Sequence, residues 1–202
     1  MFRAERRGAA RTCSGYDAPM NNGRYANPAR LLHWLMAVLV LLTIPAGLLM
    51  VRSEIDRGLQ NVLFIFHKNV GVVLLLLVLL RLVVRWRYPA PPRPAGLPAW
   101  QARAAGLTQG ALYLLLVVQP IVGYLRVRAG GFPIEALDAL GVPTLLPQSD
   151  ALAQVAKAMH YWAGLAILGL AAVHIGAALY HLTVRRDRVF SRMWPPVGKS
   201  SG

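Results

Sequence analysis

Four long apolar stretches constrain the fold of this chain more than any other feature. They cover about residues 30–50, 62–85, 105–126 and 157–182 of a 202-residue sequence. Each is long enough to cross a bilayer as a helix, which takes about 20 apolar residues. Because the apolar residues form continuous blocks rather than periodic stripes, they do not fit a soluble core. The sequence therefore predicts an all-α fold, an integral membrane four-helix bundle.

The basic residues are unevenly distributed between the two ends of this predicted bundle. Most of the 22 Lys and Arg residues lie in the N-terminal tail, in the connection between the second and third stretches, and in the C-terminal tail. These three segments share one side if all four stretches span, and the positive-inside rule then places both termini in the cytoplasm. The net charge of +14 is thus explained by topology, and nucleic acid is not an expected partner.

The predicted domain organisation is simple. Residues 1–23 are polar and rich in arginine, without the apolar core of a secretory signal, and we interpret them as a disordered basic tail. Residues 24–195 then form one four-helix transmembrane domain, and residues 196–202 form a C-terminal tail. In the outer connection between the third and fourth stretches, Pro133 to Leu140 is either a short amphipathic lid or part of a plain linker. Cys13 is the only cysteine, which excludes a disulfide framework and covalent haem attachment of the CxxCH type.

Four histidines in the apolar stretches form two pairs when they are sorted by depth. His67 and His160 lie near the outer ends of the second and fourth stretches, whereas His33 and His174 lie in the cytoplasmic halves of the first and fourth. His160 and His174 are 14 residues apart, hence about 40° apart in rotation and about 21 Å apart along a helix. Two imidazoles at each of two depths suit bis-histidine haem ligation in a bundle. A zinc site would need three or four ligands at one depth.

Two further features leave alternatives open. His181 follows His174 by seven residues, about 20° in rotation and about 10.5 Å along the helix, so it is a second candidate for the inner ligand. The 14-residue spacing favours His174, because both haems then lie within the hydrocarbon layer. Arg81 and Arg85 share one face at the cytoplasmic end of the second stretch, either as interface anchors or as partners of haem propionates. In the simplest alternative to haem, the histidines belong to a non-redox membrane carrier of metal ions or protons.

Four segments of the sequence resemble the bacterial cytochrome b561 family. They are RLLHWLMA around His33, HKNVGVVLLLLVLLRLVVRWRYPAPP from His67, LYLLLVVQPIVGYL in the third stretch, and MHYWAGLAILGLAAVHIGAALYHL around His160 and His174. The resemblance covers about residues 24 to 195. It implies a multi-pass protein of the bacterial inner membrane with two haem b groups. The implied axial ligands of the haem iron are His33 with His174 and His67 with His160, which agrees with the pairing by depth.

The resemblance also implies an electron-transfer function. One branch of the family oxidises superoxide at the outer face and reduces ubiquinone, so we expect a superoxide:quinone oxidoreductase. Its donor would be superoxide or a redox protein, its acceptor ubiquinone or another quinone, and its surroundings the lipid bilayer. His181 would then be a surface or quinone-pocket residue. Other branches anchor a separate dehydrogenase, and an anchor subunit with such a partner is the alternative. No catalytic residue is assigned, but four outer basic residues are candidates for attracting an anion: Lys68, Arg126, Arg128 and Lys157.

Overall fold

The computed structural model describes residues 23–92 and 96–197, and these residues form helices and connections without a strand. Four helices are long and apolar enough to cross a membrane: α1 (Asn27–Leu49), α2 (Arg57–Arg87), α3 (Ala99–Ala129) and α5 (Asp150–Thr183). A short helix, α4 (Glu135–Ala139), precedes α5, and a single 3-10 turn, Phe190–Arg192, follows it. The predicted all-α membrane bundle is confirmed. Most of the two predicted tails, residues 1–22 and 198–202, lies outside the described residues.

Local sequence signals explain where these helices begin. The Asp56 carboxylate accepts hydrogen bonds from the backbone N–H groups of Gly58 and Leu59, so α2 begins before the apolar stretch itself. The Ser149 hydroxyl likewise accepts from the N–H of Leu152 at the start of α5. Such caps satisfy N–H groups that have no partner within the helix. The polar N-terminal ends of α2 and α5 therefore remain helical beyond the predicted spans.

The four long helices pack as two hairpins, α1 with α2 and α3 with α5, which are joined through contacts between α2 and α3. The buried apolar cluster at this junction contains Met36, Leu74 and Val78, with Tyr113 and Leu116 packed against it. Most other large apolar side chains of the spanning helices are exposed, as expected where lipid covers the surface. The core therefore lies at the centre of the bundle, between the levels of the two histidine pairs.

Helix α4 is fixed against α2 by a compact set of polar contacts. The Lys68 Nζ donates hydrogen bonds to the carbonyl oxygen of Pro133 at 2.7 Å and to Glu135 Oε1 at 2.6 Å. The Asn69 side chain donates to Glu135 Oε2 and accepts from the backbone N–H of Ala136. The outer connection therefore contains a short helix docked on α2 rather than a plain linker, and the Lys68 ammonium is held in an ion pair.

A second ion pair ties α4 to the end of α3. Arg128 Nη2 lies 2.5 Å from Asp138 Oδ1, and the Arg128 side chain is buried. The hydrogen bond and the charge of Arg128 hold the pKa of Asp138 below its usual range. We call the end of the bundle that carries α4 the outer end. The opposite end, where α1 begins, is the inner end.

The segment after α5 folds back over the inner end. The Trp34 indole donates a hydrogen bond to the carbonyl oxygen of Met193 at 2.9 Å, and its ring lies edge-on to the rings of Phe190 and Trp194. The backbone N–H of Tyr25 donates to the carbonyl oxygen of Arg192. The start of the domain, at Tyr25, and residues 190–194 near its end therefore cover the inner end of the bundle together.

Candidate haem sites

The outer pair is formed by His67 of α2 and His160 of α5, whose ring centroids are 5.9 Å apart with an interplanar angle of 75°. His67 Nδ1 lies 3.0 Å from the carbonyl oxygen of Thr43, and His160 Nδ1 lies 3.1 Å from that of Gln119. A carbonyl oxygen only accepts, so in each neutral ring Nδ1 carries the proton and Nε2 keeps its lone pair. Metal-ligating histidines commonly form this same bond to a carbonyl.

A cavity of about 630 Å³ adjoins the outer pair and is lined by all four spanning helices. Its lining is largely apolar and includes both histidines, which is the character of a cofactor or ligand site. Gly71 and Gly164 line it four residues after His67 and His160, so each lies one turn further along the same helix face. With no side chain at either position, a flat ligand has room beside both imidazoles.

Two of the four cations predicted to attract an anion line this cavity. They are Arg126 of α3 and Lys157 of α5, and Arg126 lies close enough to interact electrostatically with both His67 and His160. The other two, Lys68 and Arg128, are held in the ion pairs with α4. The positive charge that faces the outer pair therefore comes from Arg126 and Lys157.

The inner pair is formed by His33 of α1 and His174 of α5, with ring centroids 6.0 Å apart and an interplanar angle of 77°. Arg81 is buried beside them, interacts electrostatically with both, and donates a hydrogen bond to the carbonyl oxygen of Ala29 at 2.5 Å. Arg85, one turn further along α2, lies over the Tyr25 ring at 5.5 Å. Arg81 is thus placed next to the inner pair.

His181 makes a different contact. Its Nδ1 lies 2.6 Å from Asp187 Oδ2, and its ring lies edge-on to Tyr180. The histidine whose ring contacts His33 is His174. The structure therefore brings together the two pairs expected from depth and places His181 against the Asp187 carboxylate near the end of α5.

Both pairs fit an iron held between two imidazoles. A bond from a metal to an imidazole nitrogen is about 2.0 Å, so rings with centroids about 6 Å apart have space for one metal ion between them. Within residues 23–92 and 96–197 no group of three or more His, Cys, Asp or Glu side chains could hold a metal ion by itself. A donor set of two axial imidazoles suits haem, because the porphyrin supplies the remaining ligands.

One known protein family matches nearly all of the described chain. The family model described as prokaryotic cytochrome b561 matches residues 24–196. The chain belongs to this family. With four helices able to span a membrane, it is a bacterial membrane protein of a family that carries out electron transfer and whose name implies b-type haem.

Individual relatives match most of the chain. Cytochrome b561 homolog 2 of Escherichia coli K12 is 35% identical over 184 residues, which cover 88% of this chain and 93% of that protein. Cytochrome b561 homolog 1 of the same strain is 29% identical, over 85% of this chain and 97% of that protein. A Yersinia pestis protein named probable superoxide oxidase CybB is 27% identical, over 81% of this chain and 92% of that protein.

The four histidines are identifiable from the sequence, but the groups that hold the outer pair are not. The acceptors are backbone carbonyls of Thr43 and Gln119, which carry no side-chain signature of this role. The available signal was a proline followed closely by a glycine inside an apolar stretch, as in TIPAG (43–47) and QPIVG (119–123). Such a pattern predicts a locally bent helix but not which imidazole contacts it.

Proposed function

We propose that the chain is a dihaem cytochrome b in which His67 and His160 ligate an outer haem and His33 and His174 ligate an inner haem. The observation that carries this proposal is the repetition of one geometry at two levels, with ring centroids 5.9 and 6.0 Å apart. Bound haems supply one-electron transfer across the membrane. The polypeptide holds neutral imidazoles at both levels, shields them from water with the apolar core, and places Arg126 and Arg81 beside them.

We further propose that the protein is a superoxide:quinone oxidoreductase of the bacterial inner membrane, with both termini in the cytoplasm. Two superoxide anions each lose one electron at the outer face and become O₂. One quinone takes up these two electrons and two protons at the inner end and becomes quinol. The similarity to a protein named probable superoxide oxidase supports this donor. So do Arg126 and Lys157, because cations that line a cavity raise the local concentration of an anion.

The first experiment counts haem in the purified protein by a pyridine haemochrome assay. We expect two haem b per chain in the wild type and one in each of His67→Ala and His33→Ala. A wild-type protein without haem would refute the proposal and support a non-redox carrier.

A second experiment tests the reaction itself in lipid vesicles that contain ubiquinone. We expect superoxide to reduce haem and then quinone, and His67→Ala to lose this reduction. A protein with two haems that is not reduced by superoxide would instead support the role of a membrane anchor for a dehydrogenase. Co-purification with a redox enzyme would then identify the donor.

A further inference from the structure

Each outer histidine is held by the same kind of contact, a hydrogen bond to a helical carbonyl oxygen beside a glycine. In α1, the Thr43 carbonyl oxygen accepts from His67, and Gly47 lies four residues later. In α3, the Gln119 carbonyl oxygen accepts from His160, and Gly123 again lies four residues later. Residue i+4 in an α-helix is the one whose N–H faces the carbonyl of residue i. Each imidazole therefore approaches a helical carbonyl directly beside a glycine.

The absence of a side chain at these glycines is what permits the approach. A Cβ atom at position 47 would lie 2.7 Å from His67 Cε1 and 3.0 Å from His67 Nδ1. A Cβ atom at position 123 would lie 3.1 Å from His160 Cε1 and 3.3 Å from His160 Nδ1. Favourable contacts between carbon atoms lie at about 3.5–4.0 Å. Alanine at position 47 would thus displace the ring strongly, and alanine at position 123 by a few tenths of an ångström.

The two glycines differ from others in the same bundle. Glycine inside a helix is less favourable than alanine because it loses more conformational freedom on folding. Gly110 of α3 and Gly169 of α5 have open space where a Cβ would stand, so sterics do not require glycine there. At Gly47 and Gly123 the added atom meets a histidine ring, which gives these two positions a reason to lack a side chain.

We propose that Gly47 and Gly123 are positioning residues for the outer haem, and that they act by letting His67 and His160 donate Nδ1–H to the carbonyls of Thr43 and Gln119. This inference rests on the proposed haem function. A hydrogen bond at Nδ1 fixes the tautomer and the ring orientation and makes Nε2 more basic. A more basic ligand stabilises ferric over ferrous iron and lowers the reduction potential.

In the described part of the chain, the inner histidines do not make this hydrogen bond. Among the described residues, neither His33 nor His174 donates a ring N–H to a backbone carbonyl, whereas both outer histidines do. Each pair has one arginine that interacts with both of its histidines, Arg81 or Arg126. The second cation of the outer cavity, Lys157, is exposed, so solvent and salt screen its charge, and charge does not separate the two pairs. We therefore expect the outer haem to have the lower potential, which favours electron flow from the outer to the inner level.

The test is a redox titration of the purified holoprotein in lipid vesicles, followed by visible and electron paramagnetic resonance spectra of both haems. His67→Ala identifies the outer haem by loss of its signals. Gly47→Ala should raise the outer potential or weaken outer haem binding by about 10- to 100-fold, the usual effect of losing such a partner. If the preference of the outer site for ferric over ferrous iron falls tenfold, the reduction potential of the outer haem rises by about 59 mV. Gly123→Ala should act in the same direction with a smaller effect.

Gly110→Ala is the matched control because it makes the same substitution in α3 without a steric contact, and the inner haem is an internal reference for the fold. Altered outer haem signals with an unchanged inner haem and an unchanged control support the proposal. It is overturned if both variants keep wild-type outer signals, or if both haems shift together. If Gly47→Ala does not fold, Gly123→Ala decides by the same criteria. A wild type without haem refutes the proposed function itself and is recognised before any variant is compared.

Discussion

Arg126 offers the sharpest test of how an anionic donor reaches the outer pair. Arg126→Gln removes one of the two cations that line the outer cavity and should slow the reduction of haem by superoxide. Two unit charges about 4 Å apart interact by about 1 kcal/mol in bulk water and about 4 kcal/mol near a protein surface. Because Arg126 is only partly buried, we use the lower part of this range, about 1–2 kcal/mol. At about 1.4 kcal/mol per factor of ten, the rate constant should fall by about 5- to 30-fold.

The assay is the second-order rate of haem reduction by superoxide, measured at several ionic strengths. Arg57→Gln is the control, because it removes the same charge from the same end of the bundle, where Arg57 is exposed and contacts Gln60. At a salt concentration of about 0.15 M, charges more than about 8 Å apart are largely screened, so the control should change the rate by less than about twofold. Reduction by an uncharged reductant should be the same in all three proteins.

Two results would contradict this reasoning. Equal rates for the two variants at every ionic strength would show that charge in the cavity does not attract the donor. A changed haem spectrum or haem content in Arg126→Gln would show that this side chain holds the cofactor rather than the substrate.

Three further predictions concern the two ends of the bundle. Glu135→Gln should lower stability at neutral pH by about 1 kcal/mol, near the top of the range for surface ion pairs, because the Lys68 and Glu135 side chains are only 14% and 35% exposed. Partial burial works to raise the pKa of Glu135, but the hydrogen bond from Lys68 and its charge lower it overall. This contribution is therefore present above the unfolded pKa and lost as the pH falls through the folded value, so melting curves of wild type and variant should converge in acid. His181→Ala should keep two haems per chain, whereas His174→Ala should lose one. Trp34→Phe removes a hydrogen bond worth about 1 kcal/mol and should expose the segment after α5 to faster proteolysis.

The overall fold was predictable because membrane insertion imposes a simple rule on composition. A helix that satisfies its own backbone in lipid must be long and apolar, so the stretches around His33, His67 and His160 identified three of the spans directly. The ends of the helices were harder to predict. Asparagine is a favoured N-cap residue, yet α1 includes Asn27 and Ala26 is the N-cap residue, while the Asn27 side chain accepts a hydrogen bond from Arg30.

For the site, the sequence predicts only where each histidine lies along and around its own helix. Helical periodicity gives the position of an imidazole along and around its own helix, which was enough to pair His33 with His174 and His67 with His160. It does not describe which neighbouring backbone lies beside the ring, so Thr43 and Gln119 were missed. It also could not show that Glu135 would neutralise Lys68, because that contact joins residues 67 positions apart.

The packing of Trp34 against residues 190–194 has a consequence for biogenesis and for handling the protein. Trp34 is adjacent to the inner ligand His33, yet its partners Phe190, Met193 and Trp194 are synthesised after all four spanning helices. The surroundings of the inner site are therefore completed last, after both outer histidines have been synthesised. A purification tag should be joined beyond residue 197, because a fusion that replaces this segment would remove the closure of the inner end.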